Sequence, residues 1–534
     1  MDKKAFYINL ILSFLTILLL SFSFPSPGIS VLIWIALVPW CIILLTGYKV
    51  GLFSYLIGAL FFIFNLSWLR FVTYPGWILL SLYLAAYLLA FSVISQYLYR
   101  RLRLPLVCIV PFVWVAFEYL RSFPFMGFPW FFLGHSQYQN LYIIQIADIT
   151  GVYGVSFLVI LFNAAIADLT RQLLLKRKFK LRIDVLAIAN KNRILNYFTI
   201  IVPCLLLCFS LTYGYFSLNS YKSSQDGPTV CVVQGNIPQS VKIDPDEKQQ
   251  EEILMKYVNL SLGTNGKGID LIVWPETMVP GILNINPEIL DRQIDRLSKE
   301  SMQKVANTTG ASLIVGGTAI DVNEKHPLYF NTAFYYDSQG QLIDRYDKIH
   351  LVPFGEFIPL EDYFPFLARL VPYEVSLSSG KRRTMFELDA KKADKVFKFG
   401  VIICYEDTVA PLVRDYGREG VDFMLNITND AWFCDSSELD QHLAMMVFRA
   451  VENRICIVRA ANTGISSFVA ASGEIYDRLV RDGKQREIDG ILCNNIRFVN
   501  KANTWYTNHG EVFAVSCLLV SAMLFMFQLT RKTR

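Results

Sequence analysis

Apolar residues run almost without interruption over eight stretches, near residues 6–23, 28–47, 51–70, 77–98, 104–120, 152–170, 196–217 and 511–529. A helix rising about 1.5 Å per residue needs about 20 such residues to cross roughly 30 Å of hydrocarbon, so each stretch predicts a membrane helix. The pattern changes over residues 227–502, where short β-like runs alternate with amphipathic segments. Strands are expected at TVCVVQGN (229–236), DLIVWPE (270–276), ASLIVGGTAI (311–320), YFNTAFYYD (329–337), VFKFGVIICYE (396–406), DFMLNIT (422–428) and ICIVRAAN (455–462). Helical spacing of apolar positions predicts helices over 287–307 and from Leu439 to Arg454. The expected organisation is a membrane α-helical bundle of about eight transmembrane helices, seven within 1–220 and the eighth with a tail in 511–534. An α/β domain with buried sheets lies between them at 227–502.

Composition agrees: of 534 residues 53% are hydrophobic, 14% aromatic and only 18% charged, too apolar for an ordinary soluble chain. The formal charge of +5 raises nucleic acid as a partner. The basic residues, however, flank apolar runs and do not form a stripe interleaved with aromatics, so nucleic acid is not an expected partner. They read as topology signals. Lys3, Lys4, Lys49, Arg100, Arg101, Arg103, the run from Arg171 to Arg193, Arg531, Lys532 and Arg534 fall on one side, and only Arg70 and Arg121 on the other. Both termini are then cytoplasmic and residues 227–502 face outward. The first run follows Lys3 and Lys4 and ends at Phe24-Pro25 without a small-residue cleavage site, so it is expected to be retained as a helix. Glu118, costly to bury, has a plain partner in Arg121.

Chemistry is expected outside the apolar runs. Cys41, Cys108, Cys204, Cys208 and Cys517 lie in apolar stretches, and no cysteine spacing matches a zinc site. No nucleotide-binding glycine pattern occurs, so neither metal nor organic cofactor is expected. Glu276, Lys348 and Cys404 each follow an apolar strand, where a sheet holds side chains in a fixed cleft. Singly they read as a turn acid, a solvated cation and a small core residue. Together they form a chemical unit: a thiol nucleophile, a carboxylate to take its proton, and a cation to stabilise a thiolate or an oxyanion. Of the histidines in this region, His326, His350 and His442, only His350 competes, two residues from Lys348 on the same strand face.

VWPE, YDKIHLVPFGEFIP and ICYED resemble the Glu, Lys and Cys signatures of the nitrilase superfamily. With VVQGNIPQ (232–239), NITNDAWF (426–433), AANTGISSF (460–468), GFPWFFLG (127–134) and GVYGVSFL (151–158), nearly the whole chain resembles its membrane-embedded apolipoprotein N-acyltransferase family. The resemblance implies an α-β-β-α sandwich with Glu276 as general base, Lys348 as oxyanion-stabilising cation and Cys404 as nucleophile. Glu356 becomes a second, positioning acid, and Tyr405 and Glu406 supporting residues. It further implies transfer of an acyl chain from a phospholipid, through a Cys404 thioester, to the α-amine of a diacylglyceryl-cysteine on an apolipoprotein. That is the last step of lipoprotein maturation, at a bacterial inner membrane. Two positions depart from the family pattern: Ile243, where Trp is frequent, and Cys434, where Gly is usual. The apolar segment Phe354–Ser379 reads as a lipid-contacting loop or as one packed on its own domain, and Phe357, Phe364, Phe366 and Trp432 are substrate-contact candidates. The alternatives are a membrane-tethered nitrilase-like amidase, separable by an acylation assay against an amide panel, and a transporter with an appended binding domain. A transporter calls for polar, Gly/Pro-broken helices converging at mid-membrane.

Overall fold

The computed structural model describes residues 3–123, 127–176, 193–220, 225–286, 289, 292–322, 327–358, 376–390, 394–499 and 503–531. The chain divides into two compact units. One comprises residues 1–70, 74–220 and 509–534, the other 71–73 and 221–508.

The first unit is helical. Each of the eight apolar runs carries helix, but among the described residues only Lys3–Ser23, Tyr74–Leu102, Val152–Leu173 and Tyr197–Ser220 are long and apolar enough to cross a membrane. The other four runs form shorter apolar helices, and a further short one lies at Leu141–Thr150. Proline accounts for two of the short ones. Pro39 and Pro111 sit in the first turns of Val38–Thr46 and Val110–Leu120, where a missing N–H is tolerated, and so mark starts well inside the apolar run. The 28–47 run is broken at Leu37, and Asn163 satisfies the freed backbone. Its side chain accepts the Leu37 N–H at 2.8 Å and donates to the Ile33 carbonyl at 2.9 Å, as apolar surroundings demand. Buried Glu118 accepts the Trp114 indole N–H and the Leu133 backbone N–H, both at 2.8 Å. Among the described residues it makes no ion pair within 4 Å with Arg121, whose guanidinium donates to the Phe131 carbonyl at 3.5 Å and lies 5.3 and 5.7 Å from the Phe132 and Phe62 rings.

The second unit holds two six-stranded sheets. The first has the order β12-β1-β2-β3-β4-β5, from Gly490–Phe498, Gln225–Gln234, Leu271–Val273, Ser312–Val322, Pro327–Tyr336 and Leu342–Asp347. The second runs β11-β10-β9-β8-β7-β6, from Ile475–Arg478, Ser467–Val469, Cys456–Ala461, Phe423–Thr428, Lys395–Ile403 and Met385–Ala390. Alternation along each strand sends Val230, Val273 and Ile314 to meet Phe399, Val401 and Leu425 in one buried core between the sheets. The opposite face of the first sheet, with Cys231, Ile272 and Val315, packs on helices Glu247–Leu262 and Gln293–Thr309 through Leu254, Tyr257, Met302 and Val305. Tyr416 of helix Ala410–Glu419 lies against Gly400 of β7 on the far side of the second sheet, where helix Glu438–Asn453 is also buried. This is an α-β-β-α sandwich.

The predicted strands all form, most with shifted ends. β2 stops at Val273 and β7 at Ile403, so Glu276 and Cys404 stand in the turns that follow and not in strands. The helix expected over 287–307 is described from Gln293 and reaches Thr309; residues 287, 288, 290 and 291 lie outside the described residues. A disulfide joins Cys231 of β1 to Cys493, its register partner on β12.

Candidate active site

Cys404, Glu276 and Lys348 are presented from strand ends of both sheets. β7 runs parallel to β8, and β2 lies parallel between β1 and β3, so their C-terminal ends release the chain into turns over the inter-sheet layer. Cys404 opens a tight turn, Cys404–Thr408, with φ +52°, a left-handed conformation unusual for a side chain bearing Cβ. The turn is braced from within and from behind. Glu406 Oε2 accepts the Ile403 N–H, and Oε1 accepts the Tyr346 hydroxyl and the Ile349 N–H, all at 2.8 Å, and the His350 N–H at 3.0 Å. Burial pushes this carboxyl up to about 7 against the pull of those donors. Asn426 Nδ2 donates to the Cys404 carbonyl at 3.3 Å.

Lys348 follows β5 and is 1% exposed. Its ammonium lies 2.9 Å from Glu356 Oε1 and 3.3 Å from Glu276 Oε1. Burial alone pulls this ammonium down, but the charges of Glu356 and Glu276 outweigh it and hold Lys348 above the ordinary lysine range. Asn331 Nδ2 bridges the two acids, 2.7 Å from Glu276 and 2.9 Å from Glu356. The remaining oxygens accept backbone N–H groups, Glu276 from Asn429 at 2.9 Å and Glu356 from Val352 at 2.8 Å. The Cys404 thiol feels this cluster. Burial, then the negative charge of Glu276, raise it well above the usual thiol range, while Lys348 and a hydrogen bond from Thr428 oppose them. The thiol therefore feels both a carboxylate able to accept a proton and an ammonium able to stabilise an oxyanion.

Around this centre, burial lifts the half-buried Tyr405 to about 12, while Trp432 and Phe357 are also half-buried. Phe364 and Phe366 lie outside the described residues. Ile243 is 68% exposed, and Cys434 is exposed with a free thiol. His350 meets Glu406 through its backbone, and its imidazole makes no hydrogen bond or ion pair among the described residues. Asn331, Asn429 and Lys242 were not anticipated from sequence. Lys242 donates to the Thr277 hydroxyl at 2.7 Å; Asn429 and Lys242 lie in or beside the motifs VVQGNIPQ and NITNDAWF, but nothing in the residue types there marks their contacts with the Glu276 turn.

Behind the Cys404 turn, Asp430, Glu438 and His442 come close enough together to hold a metal ion. Arg459 already fills that place. Its Nη2 lies 2.8 Å from His442 Nδ1 and 3.0 Å from Asp430 Oδ2, and its Nη1 reaches Asn426 and Asp407 at 2.8 and 3.3 Å. A guanidinium therefore supplies the cation for these carboxylates, and His442 Nε2 bonds Asp407 at 2.8 Å.

Family models match the chain twice: the apolipoprotein N-acyltransferase N-terminal domain over residues 18–165 and the carbon-nitrogen hydrolase domain over 229–506. The chain is 34% identical to the apolipoprotein N-acyltransferase of Geobacter metallireducens over 96% of this chain and 94% of that protein. It is 32% identical to that of Allorhizobium ampelinum over 76% and 70%, and 27% identical to that of Chlorobaculum tepidum over 99% and 97%. With both units matched in order and at nearly full length, the chain belongs to the apolipoprotein N-acyltransferase family.

Proposed function

We propose that this enzyme moves an acyl chain from a phospholipid to Cys404, as a thioester, and from there to the α-amine of a diacylglyceryl-cysteine on an apolipoprotein. The observation that carries the reading is the buried Glu276–Lys348–Glu356 cluster beside a thiol held on a left-handed turn. In the first step Glu276 takes the thiol proton and the sulfur attacks the ester carbonyl. Lys348 steadies the oxyanion, and lysophospholipid leaves with the proton. In the second, the acceptor amine gives its proton through Glu276, attacks the thioester and releases Cys404. Glu356 and Asn331 position Lys348 and Glu276, and Glu406 holds the turn that carries Cys404 and Tyr405. Trp432 and Phe357, with Phe364 and Phe366, are proposed lipid contacts. The chemistry asks for no metal or organic cofactor.

Residues 227–502 form the catalytic domain on the outer face, flanked by seven membrane helices in 1–220 and an eighth in 511–534, with both termini cytoplasmic. The Cys231–Cys493 disulfide supports an oxidising, extracytoplasmic setting. A membrane address suits the substrates, since each methylene drawn into water costs about 0.8 kcal/mol and a long chain about 10 kcal/mol. An amidase acting on a small amide would need none of the N-terminal unit that the family model matches. The test is mass spectrometry of intact lipoprotein N-termini from cells with and without this chain. A third acyl group, on the N-terminal amine, is expected only with it. Its presence in both would sink the reading.

A further inference from the structure

Lys242 is a lysine that the proposed two-step chemistry leaves unused. It ends a single helical turn, Gln239–Lys242, and residues 239 and 242 stand on one face of that turn. Gln239 Oε1 accepts the Asn429 side chain at 3.0 Å, and the Asn429 backbone N–H binds Glu276 Oε2. Lys242 Nζ donates to the hydroxyl of Thr277, the residue after Glu276. The turn is thus fastened on both sides of the carboxylate next to Cys404. Thr277 and Lys242 are half-buried beside buried Glu276, and the next residue, Ile243, is exposed.

The electrostatic balance around Lys242 is incomplete. The Lys348 charge is met by two carboxylates at 2.9 and 3.3 Å. No carboxylate lies within 4 Å of Lys242 among the described residues, and its one hydrogen bond there goes to a neutral hydroxyl. Burial draws its ammonium down to about 7, and the more distant Glu276 opposes this only in part. A cation desolvated without an opposite charge is costly, and an arriving anion lowers that cost. In a phospholipid only a few bonds separate the ester carbonyl from the phosphodiester, so a carbonyl attacked by Cys404, whose thiol feels the Glu276 charge, brings the phosphate toward the Glu276–Thr277 turn on which Lys242 is fastened.

We propose that Lys242 is the cation that receives the phosphodiester of the acyl donor. The assignment rests on the reading of a phospholipid as donor to Cys404. The test is acylation of Cys404 in the full-length protein in neutral detergent, with two donors carrying the same acyl chain: phosphatidylglycerol and an uncharged p-nitrophenyl ester. Lys242→Gln is expected to lower the ratio of kcat/KM for phospholipid over neutral ester about tenfold, as loss of one charge-assisted contact does. Lys242→Arg is expected to restore most of the ratio. A ratio unchanged in Lys242→Gln overturns the proposal, as does an equal fall with both donors, which would place Lys242 on the proton chemistry of Glu276. Wild-type protein that takes acyl groups from the neutral ester and none from phosphatidylglycerol would instead remove the donor reading itself.

Discussion

At Cys404, two charges of opposite sign act on one thiol. Glu276 raises its pKa and Lys348 lowers it, on top of the burial that dominates. Two substitutions must then move the thiol in opposite directions: Glu276→Gln downward, because an anion is lost, and Lys348→Met upward, because a cation is lost. The pH dependence of Cys404 alkylation by iodoacetamide reads both, and shifts of the same sign would mean that the charges do not act as drawn. A second residue ties sequence to backbone. Cys434, where the family usually has Gly, adopts φ +51° and ψ −160°, a region that suits glycine almost alone. Cys434→Gly should therefore stabilise the protein by about 1 kcal/mol, relief of strain exceeding the entropy gained by the unfolded chain. Chemical denaturation measures it, and a destabilised variant would contradict the strain. Glu276, Lys348 and Cys404 are legible in the sequence because a charged or nucleophilic residue follows a strand, and Glu356 only through the family resemblance. Asn331 and Asn429 are not, because their roles depend on contacts across 55 and 153 residues of chain.

Among the elements, β2 is only three residues long, yet it delivers Glu276 through Trp274 and Pro275. That passage depends on Gly316 of β3. A methyl group there would meet the Pro275 carbonyl and lie 2.7 Å from both Glu276 Cα and Thr277 N. Gly316→Ala is predicted to displace Glu276 and lower the rate of Cys404 acylation by about 10²-fold with the fold retained, the scale of loss expected from a small misplacement. Stopped-flow acylation with circular dichroism decides it, and an unchanged rate would show that β3 does not set the position of Glu276. The same elements explain what sequence pattern conveyed and what it did not. Long apolar strands such as β7 and β8 announce themselves. β6 and β12 alternate inward and outward with charged or polar residues and are easily passed over, as is helix Glu247–Leu262, whose start is marked by the Asp246/Gln249 capping box rather than by an apolar stripe. In the helical unit the apolar runs were plain, but hydrophobicity does not reveal where proline or a backbone break shortens the helix inside them.

For the whole molecule, the proposed reaction places the catalytic unit and the basic Arg171–Arg193 segment, much of which lies outside the described residues, on opposite faces of one membrane. Introduced single cysteines, labelled in intact cells by a membrane-impermeant maleimide, should react within 227–502 and stay protected within 171–193. Labelling of both would overturn the topology. The family is evident from the order of its motifs along nearly the full chain, whereas of the apolar segment Phe354–Ser379, which the sequence leaves open between lipid contact and packing on its own domain, residues 359–375 lie outside the described residues. The most direct test of the central claim is peptide mass spectrometry of the purified protein incubated with phospholipid alone. A hydroxylamine-labile acyl adduct is expected on the Cys404 peptide, absent from Cys404→Ala and discharged by added diacylated lipopeptide. Full acyl transfer by Cys404→Ala, or an adduct on Cys434 instead, would contradict it.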